Sequence, residues 1–415
     1  MRYEQAEDWL LGLELFGMRF GLERMRRLLT VLGSPQDRFR SIHVVGSNGK
    51  SSTTRLAAAI LRRHGLRTGA YLSPHLVAFR ERVRVDDDDV SEAAFAAAAT
   101  RVRAAAAKVD RTGGDDDRVT QFEAMTATGL LLLADAGVDV AVVEAGLGGR
   151  YDATNVLRSS VTVCTSVGLE HTRWLGPTIT DVAQEKLAVL RDGTVLVVGP
   201  GLHPDALAVA QRVCAERAAR LVQAPAQPDV ELLAQGTFQR ANFATAQAAA
   251  HELLGVLDAD AVRAAAAATL VPGRFEQVAE VPVTIVDGAH NPAGAAVLAA
   301  SLRDFLAGRR LVAAISILDD KDADEMLAQL APLCAHVVCT SNANPRALSP
   351  GTLQATCERL GVAASIEPDP TRALERAREL AGDAGVALAT GSLYLLADLR
   401  RVAAGRSAAR RASQL

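Results

Sequence analysis

Short runs of β-branched and other apolar residues alternate along this chain with longer stretches rich in alanine, leucine and arginine. Strand-like runs include Ile42–Val45 and Val138–Glu144, and helix-like stretches include Lys50–His64 and Phe122–Asp135. Two parallel strands need a long connection that crosses the sheet, and a helix provides it. The alternation therefore predicts an α/β fold in which helices cover both faces of a parallel-rich sheet.

The same alternation returns near the end of the chain, after a strong helix breaker. The helical region Ala241–Leu270 is followed by Val271-Pro272-Gly273, and a Pro-Gly pair after a helix is a typical breaker. A chain of 415 residues is also too long for one compact core. We therefore expect two domains, residues 1–275 and a smaller Rossmann-like α/β domain at residues 276–415. The further predicted strands are Val161–Ser166, Val195–Val198, Thr284–Val286, Leu311–Ile317, His336–Thr340 and Val386–Ala389.

Composition and charge indicate a globular protein without nucleic-acid or membrane partners. The formal net charge is −3, and apolar and charged residues make up 49% and 22% of the chain, which gives no broad attraction to anionic surfaces. No apolar stretch approaches the about 20 residues that span a bilayer, and the acidic, mixed N-terminus does not resemble a signal peptide. The five cysteines contain no CxxC pair, which favours buried thiols in a reducing compartment. We expect a cytoplasmic location.

A glycine-containing loop between a predicted strand and a predicted helix has the chemistry of a phosphate-binding site. It runs from His43 to Thr54 with the sequence HVVGSNGKSSTT. Glycines let backbone N–H groups converge on a phosphate, and the dipole at the helix N-terminus favours the anion. Lys50 adds a cation for the β- and γ-phosphates, and the neighbouring serine hydroxyls can bond phosphate or reach Mg²⁺. The predicted ATP-binding residues of this loop are Gly46, Asn48, Gly49, Lys50, Ser51 and Ser52.

The spacing of this loop excludes the general pattern GxxxxGK[ST], because the first glycine of that pattern would fall at Val44. A tight strand–helix turn capped by serine is the alternative that needs no nucleotide. Further motifs follow along the chain: SPHL at residues 73–76, EAGLGGRYDATN at 144–155, GLEHTRWLG at 168–176 with Glu-Lys at 185–186, PGRFE at 272–276, DGAHNP at 287–292 and TGSLY at 390–394.

Together, and in this order over nearly the whole chain, the loop and the motifs resemble the folylpolyglutamate and dihydrofolate synthases of the Mur ligase superfamily. The resemblance implies a P-loop Mur-type ATPase domain that binds ATP and folate at residues 1–275, and a glutamate-ligase domain at residues 276–415. It implies that L-glutamate is joined to dihydropteroate, to (tetrahydro)folate or to both through an acyl phosphate, with release of ADP and phosphate. We expect a monomer, since one chain can hold both halves of such a site.

A magnesium site is expected near Glu144, which ends a predicted strand. Ligands in doubly wound folds lie at the carboxyl ends of strands, so an acid there is well placed for a metal, although it can also be purely structural. The resemblance implies that Ser73, Glu144 and His171 bind Mg²⁺. Magnesium prefers oxygen ligands, so without the resemblance His171 would be interpreted as a capping or core residue.

Lys186 follows Glu185 on a predicted helix and, taken alone, has the character of an ordinary surface lysine. The resemblance implies instead a carbamylated lysine, in which the cation is replaced by a carboxylate-like metal ligand. It also implies that Lys50, Lys186 and His171 act in catalysis.

Four residues around the predicted domain boundary complete the implied ATP site. A guanidinium can fork onto phosphate and a carboxylate can bind ribose hydroxyls, which suits Arg274 and Asp287. The resemblance adds Asn242 near the base and His290 near the phosphates. For His290, a histidine that only stabilises its turn is the alternative.

The resemblance also indicates residues for the acceptor and for glutamate. Phe122 can stack on a flat heterocycle, although an aromatic residue that opens an apolar helix is often part of the core. Asp320 and Lys321 are placed on the glutamate side, with an exposed charged turn as the alternative. The implied folate-binding residues are Phe20, Gly21, Thr120, Gln121, Phe122, Tyr151, Asp152 and Ala153.

Two other functions stay open from the sequence. One is a ligase of the same superfamily that acts on a non-folate acceptor, and the other is a non-catalytic ATP-binding paralogue. Ser47, Ser51 and Glu170 depart from the motifs of the family and leave room for a specialised paralogue. The joint presence of Lys50 and Glu144 with the other implied catalytic residues argues against a non-catalytic protein.

Overall fold

The computed structural model describes residues 1–14, 21–112, 117–226 and 230–412, with side chains up to residue 403. The chain divides into two compact units. The first consists of Met1–Leu232 and Arg240–Thr269, and the second of Leu233–Gln239 and Leu270–Leu415. Each unit contains one mixed, parallel-rich sheet together with helices, which confirms the predicted α/β fold class.

The first unit is built on a sheet of eight strands within the described residues. They are β1 (Arg40–Val45), β2 (Thr68–Tyr71), β3 (Val83–Val85), β4 (Asp88–Asp89), β5 (Val140–Glu144), β6 (Val161–Cys164), β7 (Val195–Val198) and β8 (Arg220–Gln223). The strands lie in the order β4-β3-β2-β5-β1-β6-β7-β8, and all neighbours except β2–β3 and β3–β4 run parallel. The strand that precedes the phosphate-binding loop, β1, therefore lies between β5 and β6.

Helices cover both faces of this sheet, because alternate residues of a strand point to opposite faces. The helices are α1 (Tyr3–Leu11), α2 (Glu23–Val31), α3 (Lys50–Arg63), α4 (Glu92–Thr112), α5 (Gln121–Asp135), α6 (Thr172–Leu175), α7 (Ile179–Leu187), α8 (Pro204–Glu216), α9 (Thr237–Leu254) and α10 (Ala259–Ala268). In β5, Val140 and Val142 pack with α3, α9 and α10, whereas Ala141 and Val143 pack with α1, α2, α4 and α5. Burial on both faces explains why the central strands are apolar at nearly every position.

The second unit is built on a sheet of six strands in the part of it that the structure describes. They are β9 (Glu276–Glu280), β10 (Val283–Val286), β11 (Leu311–Ile315), β12 (His336–Cys339), β13 (Ala364–Ile366) and β14 (Val386–Thr390). Their order is β13-β12-β11-β14-β10-β9, and only the pair β9–β10 is antiparallel. The helices of this unit are α11 (Pro292–Leu306), α12 (Ala323–Leu330), α13 (Pro350–Arg359), α14 (Pro370–Ala381) and α15 (Leu393–Ala412).

The structure adds details to the predicted pattern of elements. The strands that the sequence pattern does not predict are β2, β3, β4, β8, β9 and β13. They are short and interrupted by polar residues or glycine, so pairing with neighbouring strands, rather than their own sequence, determines that they form strands.

The helical region Ala241–Leu270 is interrupted after α9, where Gly255 has a φ of 84°. Within the described residues, no helix is both long and apolar enough to cross a membrane.

Phe243 of α9 is fully buried against the first sheet, so we expect Phe243→Ala to lower the free energy of unfolding of the first unit by about 3–5 kcal/mol. Both tryptophans, Trp9 and Trp174, belong to this unit, so their fluorescence during urea unfolding reports on it. Val256→Ala, at a residue that is 82% exposed, is the control and should change the free energy by less than about 0.5 kcal/mol. Equal unfolding midpoints for the two variants would contradict the packing of α9.

Candidate active site

The loop between β1 and α3 has a shape that requires glycine at two positions. Gly49, the residue before α3, has a φ of 87°, and a Cβ atom there would lie 2.4 Å from Oδ1 of Asn242. A Cβ atom on Gly46 would lie 1.9 Å from Oγ1 of Thr165. Both distances are far shorter than van der Waals contact, so any larger residue would push the loop away from its neighbours. Asn242, predicted to lie near the nucleotide base, is therefore adjacent to the phosphate loop.

Two hydroxyl residues just after β6 hold the backbone of this loop. Oγ1 of Thr165 donates to the carbonyl oxygen of Asn48 at 2.7 Å, and the N–H of Asn48 lies 3.0 Å from Oγ of Ser166. The N–H of Ser47 donates to the carbonyl oxygen of Ser166 at 2.9 Å. The sequence motifs do not single out Thr165 and Ser166. The available signal is that hydroxyl residues follow a strand that neighbours the loop.

Two lysines converge on the first residue of the loop. Nζ of Lys50 lies 2.9 Å, and Nζ of Lys186 lies 3.0 Å, from the same atom, the carbonyl oxygen of Gly46. The chain has 45 lysines and arginines, but only those at positions 50, 108, 186 and 321 are lysines. Half of its lysines therefore lie at one carbonyl oxygen. An ammonium group is a compact point charge, unlike the planar guanidinium. The choice of lysine rather than arginine at both positions therefore indicates a site for a concentrated negative charge.

Lys186 is buried, with 1% of its side chain exposed, and forms a 2.7 Å ion pair with Oε1 of Glu170. The interpretation as a surface lysine is therefore wrong. Burial lowers the pKa of Lys186, an effect that Glu170 opposes and the charge of Lys50 reinforces. Burial also disfavours the ionised form of Glu170, but the charges of Lys186 and Lys50 outweigh this and lower the pKa of Glu170 to about 2.

Glu144 ends β5 and is buried, with 1% exposed. Its Oε1 accepts a hydrogen bond from Oγ of Ser51 at 2.9 Å, and its Oε2 accepts one from the N–H of Ser73 at 3.1 Å. The structure thus brings together a residue of the phosphate loop, the end of β5 and the SPHL motif. His171 precedes α6, has a φ of 46° and is exposed, and its charge is among the causes that lower the pKa of Glu170.

The donor atoms around Glu144 fit a magnesium ion. Within the described residues, no group of three or more His, Cys, Asp or Glu side chains could hold a metal. Magnesium is commonly bound by only one or two carboxylates, with water and phosphate oxygens completing its shell. The carboxylate of Glu144 beside the hydroxyl of Ser51 matches that chemistry. The participation of Ser73 and His171 stays a prediction.

In the second unit, Asp287 organises the turn after β10. Its Oδ2 accepts a hydrogen bond from the N–H of Phe275 and its Oδ1 one from the N–H of Ala289, both at 2.8 Å. Burial raises the pKa of Asp287, although the nearby charge of Arg274 opposes the change. A Cβ atom on Gly288 would lie 2.3 Å from Nη1 of Arg274, so this glycine lets the guanidinium group lie against the turn. Binding of ribose or phosphate by these two side chains stays a prediction.

The other predicted residues of the second unit also lie in turns. Nδ1 of His290 lies 2.8 Å from the carbonyl oxygen of Gly288, so this histidine stabilises its turn whether or not it also contacts phosphate. Oδ2 of Asp320 lies 3.3 Å from Nζ of Lys321 and 3.5 Å from Nη1 of Arg346. The side chain of Asp320 is 38% exposed, as a charged surface turn requires. A role in glutamate binding stays a prediction.

The predicted folate residues at the start of α5 have structural bonds of their own. Oγ1 of Thr120 caps the helix and donates to Oε2 of Glu123 at 3.0 Å. Nε2 of Gln121 donates to the carbonyl oxygen of Leu10 at 2.9 Å. Gly21 has a φ of 135° and is partly buried, whereas Phe20 lies outside the described residues. These contacts hold the start of α5 in place, and folate binding by these residues stays a prediction.

The remaining predicted folate residues surround the loop that follows β5. Oδ2 of Asp152 accepts hydrogen bonds from the N–H groups of Gly146 and Leu147 at 2.9 and 2.8 Å. A Cβ atom on Gly146 would lie 2.4 Å from Cζ of Phe122, so the phenyl ring lies directly against this glycine. Ala153 is buried and Tyr151 is 46% exposed. The structure therefore brings Phe122 and Asp152 together at Gly146 and leaves Tyr151 accessible.

Replacing Glu170 by glutamine should destabilise the protein in a pH-dependent way. Its lowered pKa stabilises the folded state above its ordinary value of 4.5, and this contribution is lost as pH falls towards about 2. With Lys186 in its ammonium form, we expect Glu170→Gln to lower the free energy of unfolding by roughly 3 kcal/mol at neutral pH, and the difference from the unmodified chain to shrink below about pH 4.5. Urea unfolding across this range measures both quantities.

Glu216→Gln is the matched control, because the side chain of Glu216 is 63% exposed. A surface pair of this kind contributes at most about 1 kcal/mol. A destabilisation by Glu170→Gln that stays constant across the acidic range would contradict a role for the ionised carboxylate.

Comparison with known proteins agrees with this geometry. Residues 273–393 match the family model described as Mur ligase, glutamate ligase domain. The dihydrofolate synthase/folylpolyglutamate synthase of Mycobacterium tuberculosis is 36% identical over 398 residues, which cover 86% of this chain and 80% of that protein. The structure of Mycobacterium tuberculosis folylpolyglutamate synthase complexed with ADP has a TM-score of 0.90 at 32% identity, and the match covers 96% of this chain and 98% of that one.

A second solved structure, Escherichia coli FolC in complex with DHPP and ADP, has a TM-score of 0.87 at 30% identity. The match covers 98% of this chain and 99% of that chain. Similarity at this identity over nearly the full length of both chains shows common family membership. The chain belongs to the dihydrofolate synthase/folylpolyglutamate synthase family.

Proposed function

We propose that this chain is an ATP-dependent ligase that joins L-glutamate to dihydropteroate, to (tetrahydro)folate, or to both. Family membership supports the proposal, as do the structures of relatives that hold ADP or DHPP. The observation that carries it is the convergence of Lys50 and Lys186 on the carbonyl oxygen of Gly46, at the N-terminus of α3. The ammonium group of Lys50 beside a helix N-terminus suits the transfer of a phosphoryl group, and Lys186 adjoins it.

The reaction needs ATP because a free carboxylate does not acylate an amine. Transfer of the γ-phosphoryl group of ATP to the acceptor carboxylate forms an acyl phosphate and releases ADP. The amine of glutamate then attacks the acyl carbon and loses a proton, and phosphate leaves from the tetrahedral intermediate. Lys50 neutralises charge on the transferring phosphoryl group, and this electrostatic help is the main requirement of that step.

We assign the ligands of ATP and magnesium as the family resemblance implies. Magnesium would be held by Ser73, Glu144 and His171 and would supply further neutralisation of phosphate charge. The oxygen donors around Glu144 support this assignment most directly. The residues proposed to bind ATP are Gly46, Asn48, Gly49, Lys50, Ser51, Ser52, Asn242, Arg274, Asp287 and His290.

The acceptor and glutamate would bind on different sets of residues. Phe122 and Asp152 meet at Gly146, which supports an acceptor pocket bounded by the loop after β5. Tyr151 offers an accessible ring beside them. Asp320 and Lys321 are proposed for the glutamate side. We further propose a monomer in the cytoplasm, since one chain carries all these residues and its five cysteines are buried free thiols.

We expect the purified protein to release ADP and form a glutamylated product when supplied with ATP, magnesium, L-glutamate and either dihydropteroate or tetrahydrofolate. Mass spectrometry of each product identifies the added glutamyl unit. Lys50→Met should lower turnover at least about 100-fold because the transferring phosphoryl group loses its cation. Lys108→Met, at an exposed position of α4, is the matched control and should retain full turnover. Folded protein that turns over neither acceptor would overturn the folate assignment.

We also propose that Lys186 is carbamylated in the active enzyme. The neutral amine would attack the carbon of CO₂ and release a proton, and the resulting carbamate anion would lie close to the ammonium group of Lys50. Burial of Lys186, which lowers its pKa, favours the neutral amine that this reaction needs. Lys50 beside it would give the anion a partner of opposite charge, against the like charge of Glu170.

Incubation with ¹³C-bicarbonate should produce one carbamate signal in the ¹³C NMR spectrum of the intact protein. With only four lysines in the chain, substitution assigns the signal directly. Lys186→Met should abolish it, whereas Lys108→Met should leave it unchanged. A signal that survives Lys186→Met, or no signal from active enzyme, would contradict carbamylation at this residue.

A further inference from the structure

A buried histidine of β1 has no part in the function proposed above. His43 lies three residues before Gly46, in the strand that leads into the phosphate loop, and is 0% exposed. Its neighbours in the strand, Ile42 and Val44, pack with the core under α3, so the imidazole points to the opposite face of the sheet. A polar ring at such a position is costly unless it forms hydrogen bonds.

The imidazole makes one such bond, to a residue of the EAGLGGRYDATN motif. Nε2 of His43 lies 2.8 Å from Oγ1 of Thr154, a residue 111 positions further along the chain. Oγ1 of Thr154 also bonds Oδ1 of Asp152. That carboxylate is surrounded by donors, because it accepts the N–H groups of Gly146, Leu147 and Thr154 as well.

The partners of Asp152 determine which atom donates and which accepts in each of these hydrogen bonds. Burial raises the pKa of Asp152, but the hydroxyl of Thr154 and three backbone N–H donors oppose this change and stabilise the carboxylate, which can only accept. The single hydroxyl proton of Thr154 therefore points to Asp152, and His43 must donate its Nε2–H to Thr154. Burial, reinforced by the charge of Arg191, lowers the pKa of His43 to about 3, so the ring is neutral and Nδ1 bears a lone pair. Nδ1 is buried and has no hydrogen-bond partner among the described residues.

The bonds thus connect the strand before the phosphate loop with the loop after β5. Asp152 fixes the N–H groups of Gly146 and Leu147, and Gly146 lies directly against the ring of Phe122. Because β1 and β5 are adjacent and parallel, a side-chain bond from β1 can hold this loop in position while the backbone hydrogen bonds between the two strands stay intact. Loss of the bond would free Thr154 and Asp152 to change their arrangement.

We propose that His43 is a positioning residue for the acceptor side of the site: its Nε2–H orients Thr154, which orients Asp152 and thereby the loop Gly146–Leu147 against Phe122. The inference rests on the proposed function only in assigning this loop to the acceptor pocket. His43 acts through Thr154 and contacts neither ATP nor the acceptor itself.

Three substitutions of His43 separate this role from simple packing. A glutamine carries its amide nitrogen as many bonds from Cβ as the Nε2 of histidine, whereas asparagine carries it at the position of Nδ1. His43→Gln therefore retains a donor that reaches Thr154. His43→Asn retains a polar group that does not reach it, and His43→Leu fills the space without a donor. Thr154→Val breaks the same bond from the other side while preserving the shape of the side chain.

The first measurement is hydrogen–deuterium exchange of the peptide that contains Gly146 and Leu147, in protein without ligands. We expect exchange to rise about 10-fold in His43→Leu, His43→Asn and Thr154→Val, as the loss of one hydrogen bond predicts, and to stay within about twofold of the original in His43→Gln. Adding His43→Leu to Thr154→Val should cause little further increase. Unchanged exchange in His43→Leu, or equal exchange in the Gln and Asn variants, would overturn the inference whatever the enzyme's substrate.

The second measurement is steady-state kinetics with dihydropteroate as the acceptor. His43→Leu and His43→Asn should raise the KM for dihydropteroate about 10-fold and leave the KM for ATP within about twofold, whereas His43→Gln should restore the KM for dihydropteroate. Equal changes in both KM values would overturn the acceptor-side role. If the unmodified chain turns over no folate-type acceptor, the proposed function fails, while the exchange measurement still decides the positioning of the loop.

His336→Leu is the matched control for both measurements. Nε2 of His336 also lies 2.8 Å from a hydroxyl, that of Ser365, but in the second unit and at the amino end of β12. Its loss removes a bond of the same type and should change neither exchange of the Gly146–Leu147 peptide nor the KM for dihydropteroate. An effect equal to that of His43→Leu would indicate a general loss of stability and overturn the specific role of His43.

Discussion

The carbonyl oxygen of Gly46 accepts hydrogen bonds from two lysine ammonium groups, and the candidate site depends on this arrangement. With Lys186 unmodified, a single carbonyl cannot neutralise both positive charges, so Lys50 and Lys186 create a concentrated positive potential at the N-terminus of α3. Glu170 offsets part of this charge from one side. The charge of Lys50, which carbamylation of Lys186 would not remove, suits an anion with several oxygens, and the phosphates of ATP are such an anion.

The position of β1 makes this convergence possible. Val44 of β1 is level with Glu144 of β5, and Val45 is level with Cys164 of β6. Because the three strands run parallel, the segments that follow them leave the sheet at the same edge. The phosphate loop, the buried carboxylate of Glu144 and the hydroxyl of Thr165 are therefore neighbours, although they lie far apart in sequence.

The two units use buried carboxylates in a similar way. Asp152 in the first and Asp287 in the second each accept backbone N–H groups with both oxygens and thereby fix a loop that carries predicted site residues. Backbone donors at such turns have no partner in a helix or sheet, and burying them without an acceptor would be costly. These acids therefore stabilise the shape of the loops in addition to any contact with a ligand.

The sequence by itself determined the fold class, most central strands, the glycines of the phosphate loop and Lys50, because these follow from local periodicity and from a short motif. Tertiary structure alone decided that Lys186 is buried, that Glu170 is its partner, and that His43 reaches Thr154. Lys186 and Gly46 are 140 residues apart, and His43 and Thr154 are 111 apart. Such contacts depend on which strands become neighbours in the sheet, and the order of strands is set by packing of the whole unit rather than by any local pattern.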